Sequence, residues 1–145
     1  MTLERRPYER LLDFRTGLHR FLRWSADQAA MAGVTPAQHQ LLLAIRGHPD
    51  PAGPAIREMA GYLLVRHHGA VELVDWAGAT GLVERRPDGD LRAVRLCLTA
   101  DGADRLAWPS ALHLEELRFL FLSDHSRGRI VPRCSIVARQ RERAR

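Results

Sequence analysis

Lysine and asparagine are absent from this 145-residue chain, so all 22 side chains counted as Lys or Arg are arginines. An arginine-only set is what a GC-rich coding sequence produces. It therefore says nothing by itself about nucleic acid, and the placement of the charges has to carry that argument. Cysteine is scarce. Cys97 and Cys134 make neither a CxxC pair nor a disulfide framework, and no cysteine near the N-terminus offers a redox sensor. The longest apolar run, Leu41–Ile45, is far short of the ~20 residues a membrane-spanning helix needs. Met1 to Arg10 is charged and has no apolar core, so no secretory signal is expected and a cytoplasmic location is. Seven histidines are present, but none in an HxxxH pair, and the adjacent His67 and His68 point to different faces of a helix. No metal site is expected. No nucleophile elbow, P-loop or dinucleotide fingerprint occurs, so neither an enzyme nor a cofactor is expected.

The charge that is present is unevenly spread. Residues 123–145 hold seven arginines against Asp124 and Glu142, which accounts for the whole net charge of +5. The rest is balanced, including six arginines against six acids over residues 54–99. The length suits one domain.

Apolar residues at Leu11, Phe14, Leu18, Phe21, Leu22 and Ala29 recur at three and four, which predicts an amphipathic helix over about 8–31, with Leu12 and Trp24 widening the stripe. Thr35-Pro36-Ala37-Gln38 reads as N-cap, first-turn proline and capping-box Gln, opening a helix that ends at Gly47. Three prolines between His48 and Pro54 predict an irregular loop. Two short helices follow, about 55–62 with Ile56, Met59 and Ala60 inward, and 66–79 with Val71, Leu73, Val74 and Ala77 inward. Residues 82–86 and 91–99 read as strands around a Pro87-Asp88-Gly89-Asp90 turn, with Val94, Leu96 and Leu98 on one face and Cys97 on the other. A helix-turn-helix followed by a hairpin is a winged helix. Thr99 caps a last helix in which Pro109 predicts a kink or break, residues 130–137 are apolar enough to pack, and 139–145 read as solvated.

Leu63-Leu64-Val65, Val71-x-Leu73-Val74-Asp75, Gly81-Leu82-Val83-Glu84-Arg85 and Asp90-x-Arg92-Ala93 running into Leu98-Thr99 resemble the MarR family of bacterial transcriptional regulators. The resemblance covers about residues 35–106. It implies a single mostly helical domain: a winged helix over 35–99, with dimerisation helices and a basic tail in 1–34 and 100–145. It further implies a homodimer bound to double-stranded DNA, with a small acidic or phenolic ligand in many members. The chain departs from the family's pattern at Trp76 and Leu91, where arginine is common, and at Pro109.

On that reading 66–79 is the recognition helix, entering the major groove by its first turn, where Arg66, His67 and His68 meet phosphate or bases. Glu72 can accept a hydrogen bond from a cytosine amino group. Arg92 and then Arg86 are the wing's candidates for the minor groove. His19 and Trp24 on the first helix and His39 on the second are the effector candidates. The expected function is repression from a pseudo-palindromic operator. The alternative is a winged helix used as a protein–protein module, with the basic tail on an acidic partner.

Overall fold

The computed structural model describes residues 4–89 and 93–122. In order they form α1 (Arg5–Met31), α2 (Pro36–Arg46), α3 (Ile56–Leu63), α4 (His67–Ala79), β1 (Val83–Pro87), β2 (Val94–Leu98) and α5 (Ala100–Leu122). This is the expected class, mostly helix with one antiparallel hairpin. The chain divides into two compact units, Ala29–Pro109 and the segments on either side of it, Met1–Gln28 and Ser110–Arg145. The expectations for Arg92, Leu91, Cys134 and the tail 123–145 lie outside the described residues.

The unit Ala29–Pro109 is built on one core. Leu41, Leu42 and Ile45 of α2, Met59 of α3, Ala70, Val74 and Ala77 of α4, Leu82, Val83 and Leu96 of the hairpin region and Leu106 of α5 are all buried. The small Ala70 and Ala77 on the inner face of α4 let that helix lie close to its neighbours. Trp76, one of the departures from the family's pattern, packs partly buried against this core beside Leu73. Val94, expected inward, is exposed, because the hairpin outruns the core there.

Local chemistry sets the helix ends. Thr35 Oγ1 accepts from the Gln38 N–H at 3.2 Å and Gln38 Oε1 accepts from the Thr35 N–H at 2.8 Å, the capping box that the sequence predicts. At α3 the cap is one-sided: Glu58 Oε2 accepts from the Ala55 N–H at 2.7 Å, and alanine has no side-chain acceptor to return. Leu64, between α3 and α4, is left-handed at φ 53° and almost wholly exposed. Thr99 Oγ1 caps α5 by accepting from the Gly102 N–H at 3.1 Å while donating to the Gly81 carbonyl at 2.6 Å. A side chain at Gly102 would put Cβ 2.0 Å from the Leu82 carbonyl oxygen, so only glycine fits that approach.

The Ala55 N–H holds the Glu58 carboxyl below its ordinary value, against desolvation and with help from His48 and Arg95. A carboxyl whose pKa drops on folding adds stability above its unfolded value, ~4.3, and loses it as pH falls through the lowered folded value. Glu58→Gln should therefore flatten the fall in Tm between about pH 5 and about pH 3. An unchanged acid slope in a calorimetric pH series would refute this.

The hairpin pairs Val83 with Leu98, Glu84 with Cys97, Arg85 with Leu96, Arg86 with Arg95 and Pro87 with Val94. The proline loop before α3 is less irregular than its composition suggests. Ala55 bridges to Arg95, and the Leu96 N–H donates to the Pro54 carbonyl at 2.9 Å. Gly53, at φ +90°, lies so close to Leu96 that a Cβ would fall 2.0 Å from its carbonyl oxygen. Cys97 Sγ lies 3.5 Å from the Ala52 carbonyl in the same seam.

Pro109 does not break α5, which runs unbroken from Ala100 to Leu122. It falls at the boundary of the two units, where its side chain is fully buried.

In the other unit, α1 and α5 meet through Phe21, Trp24 and His113, with ring centroids 5.0–5.9 Å apart. Ser25 Oγ and His113 Nε2 are hydrogen-bonded at 2.6 Å. Tyr8, Leu11, Leu12, Phe14, Leu18 and Leu22 of α1 are 44–66 % exposed. Among the described residues no helix is long and apolar enough to cross a membrane.

Candidate nucleic-acid interface

The first turn of α4 presents its polar groups outward because its apolar groups are committed inward. Burial of Ala70, Val74 and Ala77 fixes the rotation of the helix. At 100° per residue, His68, Glu72 and Asp75 then form the opposite, exposed stripe. Arg66 is the N-cap, in extended backbone (φ −70°, ψ 159°), with no side-chain cap hydrogen bond. His67 is exposed beside it. A helix N-terminus carries roughly half a positive charge, so clustering Arg66, His67 and His68 there favours an anion by electrostatics alone.

Ion pairing separates the arginines of this unit. Arg85 of β1 donates to Asp75 of α4 and so neutralises the acid nearest the end of the exposed stripe. Arg86 donates to Glu84 on the same strand, and that partner raises its pKa. Arg95 is held by Asp88 at 2.9 Å. Among the described residues, Arg66 and Arg57, both exposed, make no ion pair. Arg57 lines a shallow cleft with Ala55, Ile56, Ala93, Val94 and Arg95, between the start of α3 and the wing.

The predicted site residues are thus brought together in part. Arg66, His67, His68 and Glu72 share one exposed end and face of α4, and Arg86 is exposed on the hairpin with a carboxylate against it. His19 is exposed on α1, while Trp24 is half-buried in the aromatic cluster with His113. His39 is 6 % exposed in the other unit. Sequence reasoning missed Arg57, Asp75 and Arg95. Asp75 was within reach, since it stands three residues beyond Glu72 on the same stripe. Arg57 and Arg95 carried no signal, because which arginines find acids depends on the folded hairpin.

Residues 32–93 match the model of the MarR family. Solved structures agree on the fold. MarR from E. coli without ligand is 18 % identical, with 99 % of this chain and 98 % of that one covered and a TM-score of 0.63. MepR, a transcription regulator of the Staphylococcus aureus multidrug efflux pump MepA, is 16 % identical over 90 % of this chain and 93 % of its own, with a TM-score of 0.65. The transcriptional repressor CouR, solved on a 23-mer DNA duplex, is 24 % identical over 91 % and 89 %, with a TM-score of 0.61. No curated protein matches the sequence significantly. The fold and the family match define a winged helix-turn-helix of the kind used by transcription regulators. Over residues 32–93 the chain is similar to the winged helix of the MarR family.

Proposed function

We propose that the protein is a transcriptional repressor that binds a pseudo-palindromic operator as a homodimer and is released by a small-molecule effector. The observation that carries the reading is the exposed Arg66, without an ion pair among the described residues, beside His67 and His68 at the open end of α4, on a winged helix similar to that of the MarR family. Similarity to CouR, solved on duplex DNA, supports the choice of partner. Support for the homodimer comes from α1, where Tyr8, Leu11, Leu12, Phe14, Leu18 and Leu22 are about half exposed. Two recognition helices ~34 Å apart would enter successive major grooves on one face of the duplex. Arg86, and Arg92 by its place in the sequence, would reach the flanking minor grooves, and Glu72 would accept from a cytosine amino group. The effector would be an acidic or phenolic compound, with His19 and Trp24 of α1 as its candidates within one unit. Binding to one of two half-site spacings in preference to the other is how it would release DNA. Work on an operator would place the protein in the cytoplasm.

Selection of duplexes from a random pool, followed by titration at several salt concentrations, tests the reading. The expected result is an inverted repeat bound by two chains, with affinity falling steeply between about 50 and 200 mM salt, on the order of tenfold or more for the phosphates involved. Affinity independent of salt, or a monomer by sedimentation at all concentrations, would overturn it.

A further inference from the structure

Beside the backbone seam in which Arg95 and Leu96 meet Ala55 and Pro54, one guanidinium ties the wing to the proline loop. Arg95 Nε donates to Asp88 Oδ2 at 2.9 Å, where the hairpin strands close toward their tip. Its Nη1 donates to the Gly53 carbonyl at 3.2 Å and lies 3.6 Å from Asp50 Oδ2, both in the proline loop before α3. The side chain is 24 % exposed, far more enclosed than that of Arg85 or Arg86. Asp88 is fixed in turn. Its Oδ1 accepts from the Gly89 N–H at 3.0 Å, and its own N–H donates to the Ala93 carbonyl at 2.9 Å. Directly across the ladder from Arg95 stands Arg86, a like charge that would push the strands apart if both were unpaired. Asp88 removes that conflict on one side and Glu84 on the other.

We infer that Arg95 and Asp88 form a latch that sets the angle of the wing for the duplex, so that Arg95 is a positioning residue for DNA binding and does not itself touch DNA. The inference rests on the DNA-binding reading above. Arg95 Nε and Nη1 are directed at three protein groups in two segments, and none of these lies on α4. The backbone seam at Ala55 and Leu96 holds the base of the wing, and the Arg95 bonds extend that hold toward the tip through Asp88. Charge-assisted bonds from one guanidinium to two separate acceptors resist movement of the tip because Nε and Nη1 sit on one rigid plane.

The test exploits opposed signs. Asp88→Asn removes a negative charge near DNA, and simple electrostatics makes it bind more tightly. If the latch positions the wing, the same substitution weakens binding. The probe is the duplex selected by the wild-type protein. Asp88→Asn is expected to weaken it by about tenfold, equivalent to ~1.4 kcal/mol. The salt slope should shrink by about one for each phosphate that the wing no longer reaches, a change that a general fall in stability does not produce. Asp50→Asn, which opens the weaker arm and also removes negative charge, should weaken binding less, and Asp88→Glu should restore most of it. Tm and circular dichroism confirm that each variant folds. Tighter or unchanged binding by both asparagine variants, with an unchanged salt slope, overturns the latch while leaving the DNA-binding reading intact. A wild-type protein that selects no duplex overturns that reading first, and the latch's role with it.

Discussion

Gly102→Ala lowers the melting temperature by about 10 °C. A Cβ at this position falls 2.0 Å from the Leu82 carbonyl oxygen and 3.0 Å from its carbon, a clash with backbone that no rotamer can relieve. Either α5 or the strand entrance at Leu82 must move. Leu82 is completely buried, its N–H donates to Ala77, and its carbonyl accepts from Thr99. Displacement therefore disturbs the α4 terminus, the start of the hairpin and the α5 cap at once. Overpacking against a well-packed core costs typically ~1–3 kcal/mol, and the backbone clash puts this case at the upper end. At about 2–4 °C per kcal/mol for a chain of this size, that gives the expected shift. A thermal melt of the variant decides it. Gly61→Ala is the matched control, because a Cβ there meets nothing within 4 Å. A Gly102 variant as stable as the Gly61 variant would contradict the close approach.

The second large effect concerns the exposed end of α4. Arg66→Ala should weaken binding to selected and random duplexes alike, by about tenfold or more when two copies act on one operator. Its guanidinium has no ion-pair partner among the described residues, so no carboxylate there competes for it. Glu72→Gln should act with opposite signs on the two probes. Removing the negative charge strengthens binding to random duplex, whereas loss of the carboxylate acceptor weakens binding to a site that presents cytosine there. A good base pairing of this kind is worth about 1–3 kcal/mol of discrimination, so the specificity ratio should fall by at least roughly tenfold. Electrophoretic titration of both probes reads it. Equal strengthening on both would assign Glu72 to charge balance alone.

Much of the fold was legible because its local signals agree. Thr35, Pro36 and Gln38 fix one helix start, Thr99 another, and alternation at Leu96 and Leu98 marks the second strand. The misses have physical causes. Pro109 lacks the N–H that a helix interior needs and so predicts a break, yet α5 continues through it, because packing that buries the ring can offset one absent hydrogen bond. Trp76, where the resembling family commonly has arginine, lies by its phase on a helix of 3.6 residues per turn against the core beside Leu73. The candidate interface was legible as a position and not as an electrostatic state. Arg66 and its histidines stand out once the resemblance makes 66–79 the recognition helix. Whether Arg85, Arg86 and Arg95 are available is decided by Asp75, Glu84 and Asp88, and those pairs exist only once the hairpin has formed.

The stretch containing Pro49, Pro51 and Pro54 has a bearing on how cheaply the hairpin is seated. Proline rings restrict the unfolded chain, so this segment surrenders less disorder on folding than an ordinary loop of its length. It is also the segment that offers carbonyls to Leu96, Arg95 and Cys97 while contributing few amides of its own. The hairpin thus settles onto a stiff, acceptor-rich shelf, and the entropy of organising that shelf was largely forgone when the prolines were written into the chain.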